Sequence, residues 1–571
     1  MVDDWGWDLW AGREAPTLDT SGSVRQLLPH ATRWLADEGL VLSRHYAYHS
    51  CAPSRQSLLS GRLPIHQNQD NAACSSVPRH VPTLADALRG AGYATHFLGK
   101  WHCGFLRSSL TPTRRGFDTS LGFFLRGHGH ASHCAASLEK HSLSQHQLDH
   151  PVEECAVAPH DAAHSTIYDF FVGQPDGRGD VAVREADHPA IQGHVDSSQL
   201  YGDTAVRLIG EHDASRPFFL YVAFSATHVP YSAPADVREV AAHARAAYDY
   251  EACGWANGAS PCDAGQRRLY EAMAHGVDRQ LGRMVEALQG RGMWGTTLLI
   301  FSSDNGGAPG NQGSNLPLQG GKLSTLEGGM RTLTALGGGW LPSALRGATS
   351  HAFMHVADWY ATLSHAAGVP LPTETWGAAP VESISLWPAW LALQTRLRRR
   401  QQDGRVPDDS SDEDADASLG RTRLLLSSDS IIDVRPAAGS SRASAFKLVT
   451  GYACESKPPK QSEVDACPAG QSRFDNATGR LRCGCLSCGA DGCLFDVLSD
   501  PVEAHDLAQE MPEVRIALRQ QLELGRASAV VDEWQSGIAD IDGCTTCGKC
   551  KGVFLDFAAR NGHVVQPLVL D

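Results

Sequence analysis

Apolar and polar positions along the chain follow helical and strand-like patterns in turn. Apolar residues recur at helical spacing over 84–91, and 94–99 is predicted to be a strand. The same order of helix and then strand recurs later, with apolar residues at helical spacing over 277–288 and an apolar strand over 297–301. The run 218–224 is continuously apolar, which is typical of a strand covered on both faces. Strands that alternate with helices predict an α/β fold, with a large mixed, mostly parallel sheet sandwiched by helices.

The pattern changes beyond the main domain and indicates a smaller C-terminal α+β unit. An acidic, low-complexity linker or insertion has too few apolar residues to build a core. Strand-like segments at 446–450 and 493–497 then precede a helix at about 514–524. The predicted boundaries are 1–402 for the main domain, 403–420 for the linker and 421–571 for the smaller, Cys-rich domain.

A His-rich stretch interrupts the main domain at about 126–195. It contains Gly127-His128-Gly129-His130 and scattered acidic residues. Metal binding is one interpretation of such a stretch, and a solvated loop insertion is the favoured one.

Composition and charge exclude some classes of function. The 571-residue chain carries a net charge of −15, whereas a nucleic-acid binder is expected to be basic. It is 42% hydrophobic, yet no apolar run approaches the length of a membrane span. We therefore expect a globular protein with no nucleic-acid partner and no membrane span.

The cysteines point to the compartment in which the chain folds. Sixteen cysteines are more than a cytosolic enzyme usually carries and favour an oxidising compartment. The glycosylation pattern at 476–478, Asn-Ala-Thr, agrees with a secreted protein. No signal peptide precedes Met1, so we predict that the N-terminus is incomplete. A zinc site or disulfides could explain a group of cysteines near the C-terminus, and we prefer disulfides, although the sequence does not determine their pairing. The group is Cys483, Cys485, Cys488, Cys493, Cys544, Cys547 and Cys550.

The pentapeptide at 51–55, Cys-Ala-Pro-Ser-Arg, is the most informative segment of the chain. Pro53 suits the first turn of a helix, and Gly61 is a stop signal after the apolar pair that follows. A nucleophile derived from Cys51 would face free backbone N–H groups and the positive end of the helix dipole, which favour developing negative charge. Taken alone, Cys51 is equally well explained as a buried structural thiol.

Two pairs of oxygen-bearing side chains follow apolar segments. Asp3 and Asp4 lie in an apolar, aromatic context, and Asp304 and Asn305 follow a predicted strand. In α/β sheets, ligands collect beyond the carboxyl ends of the strands. Three carboxylates and one amide oxygen suit Ca²⁺ or Mg²⁺ better than zinc. Either pair alone is better explained as a turn or a cap, and the nearby cysteine motif strengthens the metal interpretation.

Four basic side chains are also predicted at strand ends or in a Gly-rich loop. Lys100 and His102 are two residues apart at the end of a strand, and an extended chain would place both on one face. His228 follows an apolar strand directly, and Lys322 lies between Gly321 and Leu323 in the loop. Each side chain alone is most simply a solvated group. Their shared placement indicates a common site.

Two signatures relate these residues to a known family. The pentapeptide at 51–55 matches the pattern Cys-x-Pro-Ser-Arg, and residues 92–102 match a second signature that ends in Lys100-Trp101-His102. The chain resembles a type I sulfatase of the alkaline phosphatase superfamily. It is most similar to arylsulfatase B-like enzymes (N-acetylgalactosamine-4-sulfatase relatives). The resemblance also extends over 112–118, 304–307, 327–329 and 494–507.

The resemblance implies an alkaline phosphatase-like fold and a particular chemistry. A formylglycine-generating enzyme would oxidise Cys51 to formylglycine in the endoplasmic reticulum. The formylglycine hydrate would attack the sulfur of a sulfate monoester and give a covalent sulfate intermediate. The implied cofactor is Ca²⁺, and its ligands would be Asp3, Asp4, Asp304, Asn305 and the modified Cys51.

The resemblance also assigns roles to the basic side chains. Lys100 and Lys322 would bind the sulfate oxygens. Arg55 would stabilise the formylglycine hydrate, and His102 would assist regeneration of the aldehyde. His228 would donate a proton to the leaving alcohol as a general acid.

Some alternatives stay open at this point. A phosphonate or phosphodiester hydrolase of the same superfamily can use the same cysteine signature, and a non-catalytic glycan-binding homologue would keep Cys51 unconverted. The substrate would be an aryl sulfate, a galactosamine-type glycan or an algal-type polysaccharide. The expected location is the secretory pathway, with an extracellular or lysosome-like destination. The family has an apolar strand before its paired acids, so we expect the signal peptide and the first strand to be missing here.

Overall fold

The structure is a computed structural model. It describes residues 1–10, 23–69, 71, 75–125, 130, 170–174, 179–182, 196–244, 264–372, 381–403, 419–435, 442–454 and 485–529. Most of the His-rich stretch and of the acidic linker lie outside these residues, as do Asn476, Cys483 and the cysteines at 544–550. The predictions made for these residues stay predictions. The described part of the His-rich stretch corrects the solvated-loop interpretation, because Phe171–Gln174 and Gly179–Ala182 are strands of a main-domain sheet and His130 is buried.

The helices that the sequence predicts are present, and two of them show the expected end signals. The helix predicted after the pentapeptide has Ser50 as its N-cap, runs from Cys51 to Ser60 and is capped by Gly61, whose φ is +68°. The next predicted helix starts with a capping box between Thr83 and Asp86. The described α-helices are Ser23–Leu27 (α1), Pro29–Ala31 (α2), Cys51–Ser60 (α3), Leu84–Gly90 (α4), Ser197–Glu211 (α5), Ala235–Ala244 (α6), Ala264–Gly290 (α7), Glu327–Met330 (α8), Asp358–Ala366 (α9), Trp387–Asp403 (α10) and Pro512–Ala527 (α11).

The described strands include those predicted at 94–99, 218–224, 297–301, 446–450 and 493–497. They are Leu40–Leu42 (β1), His45–Tyr46 (β2), Ala94–Lys100 (β3), Thr119–Phe123 (β4), Phe171–Gln174 (β5), Gly179–Ala182 (β6), Phe218–Ala223 (β7), Leu299–Ser302 (β8), Thr334–Gly337 (β9), Ala348–Ser350 (β10), Met354–His355 (β11), Arg423–Ser427 (β12), Ser430–Arg435 (β13), Ser444–Cys454 (β14) and Cys485–Asp496 (β15).

Two sheets of the main domain lie beside each other. One has the strand order β6-β5-β4-β3-β7 and the other the order β10-β1-β9-β8. Strand β3 runs parallel to β4 and β7, and β1 runs parallel to β10. The remaining neighbours are antiparallel, so the arrangement is mixed, as the sequence predicts. Among these described neighbours the antiparallel pairs outnumber the parallel ones, so the expectation of a mostly parallel sheet is not met. Helix α7 packs Val277, Leu281 and Val285 into the core, and each such burial contributes roughly 1.5–3 kcal/mol.

The N-terminal residues link the two sheets. The Met1 ammonium donates to Val222 O at 2.8 Å, and Val2 N–H donates to Ser302 O at 2.9 Å. Val2 also forms a parallel bridge with Ser303. Alongside this segment, β7 and β8 line an apolar cavity of about 600 Å³. The prediction of a missing first strand stays a prediction.

The same cavity corrects one detail of the sequence analysis. Strand β7 was expected to be covered on both faces, but Phe218, Phe219 and Leu220 are only half-buried. These residues pair with β3 along one edge, but their side chains also line the cavity, so the strand is not fully covered. Tyr221 and Ala223 of the same strand are buried, as predicted.

A C-terminal antiparallel sheet packs against the main domain. Its strand order is β12-β13-β14-β15, and α11 covers one face through Leu518 and Leu522. Its other face packs on Tyr46 and Phe353 of the main domain. Cys488 and Cys493 form a disulfide, which bears out the disulfide prediction for this pair. Among the described helices, none has both the length and the apolar character needed to cross a bilayer.

Candidate active site

Neighbouring chain segments bring the predicted site residues together beyond the strand ends. Lys100 is the last residue of β3, His228 lies five residues after β7, and Asp304 lies two residues after β8. Asp3 follows the N-terminal segment that joins the two sheets. Cys51 enters from the start of α3. The predicted convergence of strand ends is therefore seen in the structure.

Cys51 is fully buried at the N-terminus of α3. Its Sγ donates to Asp3 Oδ1 at 3.5 Å. Burial and the Asp3 carboxylate raise the pKa of the Cys51 thiol to about 12. The sequence predicts free backbone N–H groups at the N-terminus of α3. One of them has a partner, because Ala52 N–H donates to Asn71 Oδ1 at 2.9 Å. As a thiol, Cys51 is held in its neutral form at neutral pH, which makes it a poor nucleophile.

Asp3 and Lys100 form the closest ion pair around Cys51. The Lys100 Nζ lies 2.5 Å from Asp3 Oδ2, and both side chains are fully buried. Burial alone raises the pKa of Asp3, but Lys100 and other cations outweigh it and hold that pKa well below its usual range. Asp3 is therefore a permanent anion beside the Cys51 sulfur.

Arg55 faces Asp304 rather than Cys51. Its Nε and one terminal nitrogen lie 2.9 and 2.8 Å from Asp304 Oδ2, and the other terminal nitrogen donates to Lys100 O at 3.0 Å. Burial lowers the pKa of the guanidinium, and the Asp304 and Asp3 carboxylates more than reverse this shift. Burial followed by Asp3 raises the pKa of Asp304 to about 6. Arg55 thus neutralises a buried carboxylate pair.

Asp4 contacts two further predicted site residues, Lys322 and Asn305. Its Oδ1 lies 2.6 Å from Lys322 Nζ and accepts from Asn305 Nδ2 at 2.8 Å. Burial lowers the pKa of Lys322, but Asp4 dominates and raises it above its usual value. The backbone of Asp4 has a φ of +56°, which turns the two neighbouring carboxylates toward one centre.

The oxygen-bearing residues fit a hard divalent cation. Atoms of Asp3, Asp4, Cys51 and His228 lie within 4.8 Å of one another. Asp4 Oδ2 and Asn305 Oδ1 are buried without a hydrogen-bond partner. Buried polar atoms of this kind are costly unless a cation or a donor satisfies them. Carboxylate and amide oxygens are the ligands that Ca²⁺ prefers.

His228 stands at the edge of this cluster. Its Nδ1–H donates to Val229 O at 2.6 Å, and its Nε2 lies 3.8 Å from Asp4 Oδ2. Burial and the Lys322 cation lower the pKa of His228 to about 4. The ring is therefore neutral at neutral pH, with Nε2 as the atom that faces the cluster.

The expectation that Lys100 and His102 share one face of an extended chain is wrong. Strand β3 ends at Lys100, and His102 has a φ of +51°, so the alternation of an extended strand is lost. The His102 ring is fully buried, and its backbone N–H donates to Phe124 O at 3.1 Å. Its role stays a prediction.

His130 and Asn71 contact the site, although the sequence pattern predicts neither of them there. His130 Nε2–H donates to the backbone O of His228 at 3.1 Å, and its Nδ1 lies 2.9 Å from Ser197 Oγ. The one sequence signal for His130 is the Gly-His-Gly-His pattern, which favours a loop insertion rather than a site. Nothing in the sequence marks Asn71 as a site residue, because a polar residue in a loop has many explanations.

The family profile named Sulfatase matches residues 1–369. The chain therefore belongs to the sulfatase family. The resemblance inferred from the two signatures is confirmed.

Curated relatives agree with this family. Arylsulfatase J of Mus musculus is 31% identical over 337 residues, which are 58% of this chain and 47% of that protein. N-acetylgalactosamine-6-sulfatase of Homo sapiens is 28% identical over 424 residues, 70% of this chain and 66% of that protein. The chain thus spans about half of the first relative and about two thirds of the second.

Solved structures share the fold. The crystal structure of Ps i-CgsB has a TM-score of 0.59 and 20% identity, covering 99% of this chain and 97% of its own. The PsFucS1 sulfatase from Pseudoalteromonas sp. has a TM-score of 0.57 and 20% identity, covering 93% and 90%. The predicted alkaline phosphatase-like α/β fold with a smaller C-terminal unit is confirmed.

Proposed function

We propose that this chain hydrolyses sulfate monoesters at the site around Cys51. The observation that carries the proposal is that Lys100 and Lys322 contact the adjacent acids Asp3 and Asp4 beside the Cys51 sulfur. A sulfate ester spreads negative charge over its oxygens, and two fixed ammonium groups can stabilise the charge that develops during transfer. Membership of the sulfatase family supports the same chemistry.

The nucleophile in this proposal is formylglycine made from Cys51 by a formylglycine-generating enzyme. The raised pKa of the thiol, about 12, argues against Cys51 acting unmodified. One hydroxyl of the aldehyde hydrate attacks sulfur, the bond from sulfur to the ester oxygen breaks, and a covalent sulfate forms. The second hydroxyl then loses its proton and the carbon–oxygen bond to sulfate breaks. This step releases sulfate and restores the aldehyde.

Each basic residue around Cys51 has a role in this reaction. Lys100 and Lys322 bind the sulfate oxygens, and Arg55 holds Asp304 and Asp3 in their charged forms next to the hydrate. His228 carries a proton on Nε2 to the leaving alcohol, because its Nδ1–H is committed to Val229 O. The negative charge of a bound sulfate ester favours the protonated ring. His102 takes the proton when the aldehyde is regenerated.

The proposed cofactor is Ca²⁺. Asp3, Asp4, Asp304, Asn305 and the modified Cys51 would hold it, and the two unsatisfied oxygens support this assignment. When bound, the ion supplies Lewis-acid stabilisation of negative oxygen.

The substrate class proposed is a sulfated aryl compound or a sulfated sugar. The relatives are named as arylsulfatases and N-acetylgalactosamine-6-sulfatases, which supports both kinds. We also propose maturation in the secretory pathway, with an extracellular or lysosome-like destination. The Cys488–Cys493 disulfide supports folding in an oxidising compartment.

A side-by-side assay tests this function. The protein is produced in cells that contain formylglycine-generating enzyme and is given an aryl sulfate or an aryl phosphodiester. We expect faster hydrolysis of the sulfate, and none with a Cys51→Ala control. A preference for the phosphodiester would favour the other hydrolase class. Glycan binding without hydrolysis would favour the non-catalytic alternative.

A further inference from the structure

Three charged side chains are fully buried where the C-terminal sheet meets the main domain. Lys447 lies on β14, Glu503 follows β15, and Glu327 is the first residue of α8. The Lys447 Nζ lies 2.9 Å from Glu327 Oε1 and 2.9 Å from Glu503 Oε1. None of these side chains is a ligand or nucleophile of the site around Cys51.

Glu327 also connects this cluster to the main domain. Its Oε2 accepts from Tyr46 OH at 2.8 Å, and its backbone N–H donates to Glu503 Oε2 at 2.7 Å. A buried cation between two carboxylates is strongly held, since losing one partner would leave an uncompensated buried charge. The first turn of α8 is therefore fixed by residues more than a hundred positions away in the sequence.

The loop that carries Lys322 ends at this same helix. Gly328 N–H donates to Gln319 O at 2.6 Å, which closes the loop on itself. Gln319 Nε2 in turn donates to Val502 O, next to Glu503. Lys322 lies inside the closed loop, three residues after Gln319 and five before Glu327. The C-terminal chain thus holds both ends of the loop.

We propose that Lys447 and Glu503 are positioning residues that hold the Lys322 loop in the active site. The role of Lys322 as a sulfate-binding group rests on the proposed function, whereas the placement of its loop does not. Neither Lys447 nor Glu503 touches the substrate. They act through Glu327 and the closure of the loop between Gln319 and Gly328.

Chemical labelling of Lys322 tests the proposal without any substrate. The full chain is treated with acetic anhydride, and mass spectrometry follows the acetylation rates of Lys322 and of Lys100, which lies on β3. In Lys447→Met we expect Lys322 to react about tenfold faster as the loop opens locally, with Lys100 unchanged. The matched control is Arg435→Met, which removes an exposed cation from the same sheet and should change neither rate.

A milder variant keeps the test decisive if Lys447→Met fails to fold. Glu503→Gln retains an acceptor for Glu327 N–H but removes one charge, and we expect a smaller rise at Lys322 only. An unchanged Lys322 rate in either folded variant would overturn the proposal. So would an equal rise at Lys100, which would show general loosening.

The two proposals can fail separately. If the wild-type protein hydrolyses no sulfate ester and Lys322 still responds to Lys447→Met, the positioning proposal stands and the proposed function fails. If sulfate hydrolysis is found and Lys447→Met lowers kcat/KM no more than Arg435→Met does, the positioning proposal is wrong.

Discussion

The Lys100 ammonium lies 2.5 Å from Asp3 Oδ2, and Asp3 Oδ1 accepts from the Cys51 thiol at 3.5 Å. One carboxylate thus joins the proposed nucleophile to a proposed sulfate-binding cation. All three side chains are fully buried, so the charges act in a medium of low dielectric, where they are worth more than in water. This relationship makes Lys100 the first residue to test.

Replacing Lys100 by Ala should lower turnover of an aryl sulfate by about 10²–10³-fold, the typical loss for one stabilising donor. The reason is that the ammonium is fixed by Asp3 beside the Cys51 sulfur, where the charge of the transferred group would develop. The measurement is kcat for wild type and variant. Arg207→Ala removes an exposed cation and serves as control. Near-normal activity of Lys100→Ala would exclude this assignment.

Calcium should stabilise the folded protein through the oxygen cluster. At a Ca²⁺ concentration 100 times Kd, the free energy of unfolding should rise by about 2.7 kcal/mol. Asn305→Ala removes one orphaned oxygen and should reduce that rise. Thermal unfolding with Ca²⁺ and with a chelator measures both effects. The same rise in Asn305→Ala would place the ion elsewhere.

Acid should destabilise the protein through buried neutral histidines. Burial lowers the pKa of His45 to about 3, from an unfolded value of 6.5. Below pH 6.5 the unfolded chain therefore binds a proton that the folded chain does not, so stability is lost as the pH falls through this window. His45 alone should lower the free energy of unfolding by about 2 kcal/mol between pH 7 and pH 5.

Denaturant unfolding at several pH values checks this effect of His45. His45→Asn is expected to be less stable at pH 7, because His45 bonds to Thr332 and Trp359. Its stability should nevertheless fall less steeply with acid. Parallel pH profiles for the wild type and the variant would contradict the prediction.

A Cβ at Gly306 should disturb the loop that follows the proposed calcium ligands Asp304 and Asn305. It would lie 1.7 Å from Gly328 O, a backbone atom that can move away only at a cost in free energy. We expect Gly306→Ala to cost about 1–3 kcal/mol, the usual range for overpacking. Gly310→Ala has open space and should change stability by less than about 0.5 kcal/mol. Denaturant unfolding compares the two, and equal effects would be a contradiction.

The sequence predicts much of the fold because its signals are local. The helix Cys51–Ser60 depends on a proline in its first turn and on Gly61 as its stop, and both signals lie within eleven residues. The strand that ends at Lys100 is predicted by a short apolar run. The family signatures then place these local elements in one site.

The contacts that escaped prediction join distant segments. Arg55 binds Asp304 across 249 positions, and Glu327 binds Lys447 across 120. Spacing and periodicity carry no information about such partners, because the contacts arise only when separate elements pack. His130 shows the same limit, since its contact with His228 spans 98 positions.

The chemical state of Cys51 tests the proposed mechanism most directly. The protein is isolated from cells that contain formylglycine-generating enzyme, and mass spectrometry is applied to the peptide 45–62. We expect an aldehyde-bearing residue at position 51, which aldehyde-specific reagents should label. A peptide that carries only the unmodified thiol, in protein that still hydrolyses an aryl sulfate, would contradict the proposed mechanism.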